Sequence, residues 1–328
     1  MFRFLFKLIA IVIILAAGFL AYSLSLPAGP DSQQLVQLKP GSSARRIAAD
    51  LERTGIIRNQ YAFLLWHYAG GNRSLKAGEY SFDHPSRAID VYNRIARGDI
   101  YFHSVVIPEG FNMFDVASAI EAAGLGGHDD FLNVARTQTA LVRDLDPKAP
   151  SLDGYLFPDT YHFTRTQSLH DIAQTMVRRF RQAAHDAGLQ GDIHDIVTMA
   201  SIVEKETSVP EERGMVAGVF YNRLSRKMAL NTDPTVIYAA LLNGRYRGTI
   251  YRSDLQFDSP YNTYKVAGLP PGPICNPGKA SLIAAMHPAA TDYLYFVSDN
   301  QGHHRFAQTM QQHVANVTAY RHAMQQNR

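Results

Sequence analysis

"PGSSARRIAADLERTGI" (Pro40–Ile56) reads as a glycine turn followed by a capped helix, and the same plan returns at "PEGFNMFDVASAIEAAGL" (Pro108–Leu125). In the first stretch Ser42 or Ser43 is available as N-cap, Ile47, Ala48 and Leu51 form an apolar stripe, and Gly55 is the stop. With an offset of 69 residues, Gly41 matches Gly110, Ile47 matches Val116, Ala48 matches Ala117, Leu51 matches Ile120 and Gly55 matches Gly124. This agreement points to a duplicated strand–turn–helix unit, with "VVIPEG" supplying the second strand. Between the copies, "YAFLLWHYAG" (Tyr61–Gly70) reads as a buried helix and "KAGEYSF" (Lys76–Phe82) as a short strand. "PSRAIDVYNRIARG" (Pro85–Gly98) reads as an amphipathic helix ended by its glycine. The reading is a small α+β region, residues 31–145, in which no residue demands a chemical role.

From residue 146 to 328 the pattern is mainly helical with a few strands, which makes the fold class α+β. "HDIVTMASIVEKET" (His194–Thr207) and "EERGMVAGVFYNRLSRK" (Glu211–Lys227) read as helices, and "TDPTVIYAALL" (Thr232–Leu242) as a third with Asp233 as N-cap and Pro234 at the first helical position. The loop "SPYNTYKVAGLPPGPICNPG" (Ser259–Gly278) is long enough to need its own packing or a ligand. A helix, the strand "YLYFVSD", a turn at Gly302 and a terminal helix follow.

The N-terminus sets the compartment. Leu8–Leu26 is 19 residues without a charge, about the 30 Å of a hydrocarbon core at 1.5 Å per residue. Arg3 and Lys7 precede it and Asp31 is the first charge after it. The positive-inside rule then gives a single-pass anchor over residues 1–30, with a cytoplasmic N-terminus and the rest outside the cytoplasm. A cleaved signal peptide is the alternative, because "SLSLPA" offers small residues at a plausible cut.

Composition excludes several classes. A net charge of +3 from 32 basic and 29 acidic side chains implies no broad basic face, so nucleic acid is not a partner. A single cysteine, Cys275, allows neither an intramolecular disulfide framework nor a cysteine-rich zinc site. No HExxH, GxSxG, GxGxxG or P-loop pattern is found. His303–His304 reads as a solvated hairpin end and His67 as a packed core histidine, so metal catalysis is not expected.

The remaining chemistry lies in Glu204 and Glu206 of "ASIVEKETSVPEER" (Ala200–Arg213). At 100° per residue they fall on opposite borders of the apolar stripe, about 200° apart, so both cannot face one cleft. Partial desolvation of either would raise its pKa and keep a proton at neutral pH, as a general acid requires. Phase alone does not choose between them.

The ordered run "ASIVEKET…NRL…NTDPTVIYA…YNTY…GLPPGPICNPG…SLIAAMHPA…YLYFV" (200–297) resembles the MltG/YceG family of endolytic murein transglycosylases, and "GYLFPDTY" with the duplicated unit resembles that family's LysM-like region. The likeness, with the anchor, covers nearly the whole chain. It implies a lyase that cleaves the β-1,4 bond between N-acetylmuramic acid and N-acetylglucosamine and leaves a 1,6-anhydro end, using one carboxyl as acid and then base, with no metal or organic cofactor. A catalytic glutamate that ends a helix before a small hydroxyl residue corresponds to Glu206, followed here by Thr207 in place of serine; Glu204 is the runner-up. The resemblance further implies glycan contacts from Asn222, Tyr261, Asn262 and Tyr264, a periplasmic catalytic domain on the inner membrane, and association with penicillin-binding proteins. A non-catalytic peptidoglycan-binding scaffold and a muramidase that uses water are the competing functions.

Overall fold

A computed structural model describes residues 2–326. The chain divides into two compact units, Met1–His103 with His162–Gln167, and Ser104–Tyr161 with Ser168–Arg328.

The first unit opens with α1 (Phe2–Ser25), long and apolar enough to cross a membrane. Then come β1 (Gln34–Leu38), α2 (Ala44–Arg53), α3 (Gln60–Ala69), β2 (Gly78–Phe82) and α4 (Ala88–Arg97). Strands β1 and β2 pair antiparallel, Val36 opposite Tyr80. Ser43 caps α2 by accepting the N–H of Arg46, and Asn59 caps α3. Ile47, Leu51, Phe63, Tyr80, Val91 and Ile95 belong to the core of this unit. Glu79, 3% exposed on β2, accepts from Arg165 at 2.9 Å and meets Nε2 of His103 at 2.5 Å. A buried carboxylate demands such partners, which explains why the remote segment His162–Gln167 belongs to this unit. His67 is buried in the core against Tyr92. Helix α3 departs from the sequence expectation, because it is not buried all round: Tyr61, Leu65 and Tyr68 are exposed by 72%, 55% and 56%.

The second unit contains the repeat's second copy. Strand β3 (His103–Ile107) and α5 (Met113–Ala122) lie at the predicted offset of 69 from β1 and α2, and β1 and β3 share an alternating burial pattern that covers their third and fifth residues. Ile47, Ala48 and Leu51 are buried, as are their counterparts Val116, Ala117 and Ile120. The turn glycines Gly41 and Gly110 have φ of 77° and 80°, a left-handed conformation that favours glycine. The sequence boundary near 145 kept both copies together, whereas the structure gives one to each unit. The reason is hydrogen bonding. Gly110 N–H donates to Asn276 O, Asn276 N–H and Nδ2 both donate to Phe111 O, and Lys205 Nζ donates to Gly110 O.

After α6 (His128–Thr137) the strand β4 (Asp159–Phe163) pairs with β3. Helices α7 (Leu169–Asp186), α8 (Ile193–Glu206), α9 (Arg213–Ser225) and α10 (Asp233–Leu242) follow, then α11 (Lys279–Met286), the antiparallel hairpin of β5 (Tyr295–Ser298) and β6 (His304–Ala307), and α12 (Met310–Gln326). Helix α8 packs against α9 and α11 through Val197, Ala200, Ile202 and Val203, all fully buried. Asp233 is not the cap of α10: Thr232 occupies that position, without a side-chain capping bond, and Asp233 is the first helical residue. His303–His304 is only half solvated, because both Nδ1 atoms lie against the Glu212 carboxylate, at 3.2 and 2.7 Å, and the His304 side chain is 15% exposed.

Asp153 is fully buried and receives the Tyr238 hydroxyl at 2.5 Å. Burial pushes its pKa from 3.8 to about 7. The folded state then holds a proton that the unfolded state has released, so this carboxyl's contribution is full below pH 4 and is lost as pH rises to about 7. Melting temperatures of wild type and Asp153→Asn measured from pH 4 to 8 should differ in slope over that window, the variant lacking the decline; parallel curves would refute the assignment.

Candidate functional site

Helix α8 ends by sending its two glutamates to different places, as the helical phase requires. Glu204, with a 6% exposed side chain, pairs with Nη2 of Arg213 at 3.2 Å and accepts the N–H of Gly278 at 2.9 Å. Arg213 also reaches Glu109 at 3.6 Å. A Cβ on Gly278 would fall 1.8 Å from Glu109 Oε1, so any larger residue there would push the half-exposed Glu109 carboxylate aside. Glu204 therefore joins the ends of α8 and α9 to the loop before α11, and its lone pairs are spent on that task.

Glu206 is the last residue of α8 and turns the other way, into the wall of a cavity of about 350 Å³. Arg223, Asp233, Tyr264, Tyr295 and His313 share that wall, with Phe220, Phe296 and Met310 supplying apolar surface. Its carboxylate accepts the Thr232 hydroxyl. Burial raises the Glu206 pKa, the neighbouring Asp233 adds to the rise, and the Thr232 bond, His304 and Arg223 oppose it. Thr207 is buried and its hydroxyl accepts the N–H of Val209, so it shapes the turn after the helix.

The cavity's cation is held by backbone carbonyls. Arg223 Nε donates to Leu294 O at 2.6 Å and Nη1 to Leu230 O at 2.7 Å, while the guanidinium lies 5.2 Å from the centre of the Tyr295 ring. His313 stacks on Tyr295 at 5.2 Å, and burial together with Arg223 lowers its pKa, favouring neutral imidazole. Tyr264 donates its hydroxyl to Asp233 Oδ1 at 2.7 Å, which fixes both side chains at the rim.

Of the residues expected to bind glycan, Tyr264 lies beside Glu206 and the other three do not. Asn222 Nδ2 donates to the carbonyls of Thr291 and Tyr293, fastening the segment before β5. Asn262 is fully buried, and its Nδ2 donates to Phe257 O and Leu255 O while Oδ1 accepts the Tyr264 N–H. Tyr261, 8% exposed, packs on Tyr238 at 5.0 Å. Tyr261 and Asn262 hold the loop that presents Tyr264, and Asn222 holds the segment that leads into β5. Sequence reasoning missed Arg223, Tyr295 and His313. Arg223 carried a signal, since Val216, Val219, Phe220 and Arg223 fall on one helical face and place a charge on an apolar stripe. His313 and Tyr295 come from the chain's end and carried none.

The fold and site define an α+β protein with a candidate membrane span and a desolvated helix-end carboxyl in a cavity that also holds a guanidinium. The chain belongs to the YceG-like family, whose model matches residues 36–319. It is 34% identical to a Bacillus subtilis protein named endolytic murein transglycosylase, over 92% of this chain and 89% of that one. A Streptococcus pneumoniae protein of the same name is 26% identical over 95% of this chain and 64% of its own length. The crystal structure of a yceG-like protein from Listeria monocytogenes matches with a TM-score of 0.57 at 32% identity, covering 87% of this chain and 99% of that one.

The two glutamates should separate in stability. Glu204→Gln leaves the largely buried Arg213 with only the longer contact to Glu109 and should cost about 3 kcal/mol in denaturant unfolding. Glu206 has a raised folded pKa, so its stabilising contribution is present below the ordinary carboxylate range and is lost as pH rises through the folded value. Glu206→Gln should therefore melt no lower than wild type at neutral pH, and equal losses in the two variants would overturn the distinction.

Proposed function

We propose that the protein is a membrane-anchored, endolytic lytic transglycosylase of peptidoglycan, with Glu206 as its single acid and base. The observation that carries this reading is the Glu206 carboxyl, desolvated in a cavity wall, in a chain whose relatives bear that activity's name. The substrate bond is the β-1,4 link from N-acetylmuramic acid to N-acetylglucosamine. Protonated Glu206 gives its proton to the glycosidic oxygen as the anomeric C–O bond breaks. The resulting carboxylate then takes the proton of the muramoyl 6-hydroxyl while that oxygen bonds to the anomeric carbon, which closes the 1,6-anhydro ring. The nucleophile belongs to the substrate, so the second carboxylate of ordinary glycosidases is not needed.

The remaining cavity groups fit these two half-steps. Burial and Asp233 favour the acid form needed first, while Arg223 and the Thr232 hydroxyl favour the carboxylate needed second. Tyr264, 37% exposed at the rim, offers a ring face to a sugar, whereas the Tyr295 ring is taken up by Arg223 and His313. In this reading the duplicated strand–turn–helix units are LysM-like glycan holders, and residues 31–328 are periplasmic beneath a cytoplasmic N-terminus. The enzyme ends nascent strands beside a penicillin-binding synthase.

Full-length protein in detergent, mixed with uncrosslinked glycan strands, should yield fragments one water lighter by mass spectrometry than a hydrolase would give. Glu206→Gln should reduce the yield by about 10² to 10⁴, with the fold melting normally. Sacculus binding without any product would favour a non-catalytic scaffold, and products of hydrolytic mass would favour a muramidase. Activity should fall as pH rises above the raised Glu206 pKa, because the first half-step consumes its acid form.

A further inference from the structure

Helix α3 is out of keeping with a water-exposed position. Its ten residues, "QYAFLLWHYA", include no Asp, Glu, Lys or Arg. One side buries Ala62, Phe63 and His67 in the core of the first unit, yet the opposite side exposes Tyr61, Leu65 and Tyr68, spaced i, i+4, i+7 as a continuous stripe. A helix that is apolar all round is ordinarily buried or in contact with lipid.

What adjoins that stripe identifies its occupant. Helix α3 packs against α1, and an open apolar groove between them is floored by Ala16, Ala17 and Leu20 of α1 and walled by Ala62 and Leu65 of α3. Leu20 also packs on the core of the unit. The groove floor from Ala16 to Leu20 precedes Leu26, the end of the uncharged run, by ten to six residues, about 15 to 9 Å along a helix axis. An α1 that crosses the bilayer therefore carries this face of α3 into the outer leaflet, from the depth at which interfacial helices lie, about 5 to 10 Å below the headgroup boundary, inward. Tyrosines at the stripe's ends suit that boundary, with ring in hydrocarbon and hydroxyl in water. Arg58, just before α3, donates to Pro27 O at 2.8 Å and lies over the Tyr22 ring, which fixes the junction where α1 leaves the membrane.

We infer that α3 is a second membrane element, lying in the outer leaflet with Tyr61, Leu65 and Tyr68 toward the acyl chains and one chain seated in the groove against α1. The first unit then rests on the lipid surface instead of swinging on a free tether. The inference relies on α1 being a membrane anchor, as proposed above.

Trp66, the chain's single tryptophan, lies on α3 and supplies the probe. Full-length protein is reconstituted into phosphatidylethanolamine–phosphatidylglycerol vesicles with brominated acyl chains, as wild type and as a variant combining Trp66→Phe with Leu65→Trp. The expected result is co-flotation with the vesicles. Tryptophan at 65 should lose most of its fluorescence to bromines in the upper half of the acyl chains and less to bromines at the methyl ends. Tryptophan at 66, turned toward the core, should lose less. Acrylamide in the water should quench neither. Co-flotation with no bromine quenching at 65 would overturn the inference while leaving the anchor intact: acrylamide access would put the stripe in water, and its absence would put a protein surface there. Failure to co-float would remove the anchor reading, and the lipid-facing helix with it.

Discussion

The ion pair of Glu204 with Arg213 is the constraint on which the site depends. Without it the last turn of α8 would be free to fray, since the end of a helix lacks backbone partners for its final carbonyls. Glu204 ties that turn to the first residue of α9 through Arg213 and to the loop before α11 through the N–H of Gly278. The loop in turn is held by Asn276, fully buried, whose Oδ1 accepts the N–H groups of Gly154 and Leu156 and whose Nδ2 donates to Phe111 O. One buried amide and one buried ion pair thus set the direction in which Glu206 leaves its helix. Buried polar groups of this kind are costly unless every partner is supplied, and here the partners come from distant segments.

The cavity places opposed electrostatic influences on one carboxyl. Desolvation and Asp233 favour its protonated form, and the Thr232 hydroxyl and Arg223 favour its ionised form. In the role proposed for Glu206, giving a proton and then recovering one, a carboxyl benefits from having neither state strongly preferred. Arg223 and Asp233 are both immobilised, the first by carbonyls of the segments flanking the cavity and the second by Tyr264, so their fields act from fixed positions.

The repeat illustrates how similar local sequences meet different tertiary demands. Both copies obey the same local rules, a strand with alternating burial, a glycine at positive φ and a helix with an i, i+1, i+4 apolar stripe. Their surroundings differ. The first packs with α3 and α4 in the unit that carries α1, and Glu79 collects His103 and Arg165 around it. The second is drawn into the other unit by the Gly110 N–H, which donates to Asn276 O, and by the Phe111 carbonyl, which accepts from Asn276. These bonds join residues far apart in sequence, so no local pattern revealed them.

By itself the sequence determined the apolar span of α1, the offset of 69 between the repeated strand and helix, the mainly helical second region, and the opposite directions of Glu204 and Glu206. Each follows from periodicity, capping or length, which are properties of neighbours in the chain. Tertiary structure decided which glutamate is consumed by an ion pair and which faces a cavity. It also decided that Asn222, Tyr261 and Asn262 hold loops while Arg223, Tyr295 and His313 line the site, and that one side of α3 is exposed. Those outcomes depend on which distant backbone groups and rings arrive at a given side chain, and an asparagine or tyrosine reads the same in sequence whether its polar atoms meet a carbonyl or a ligand.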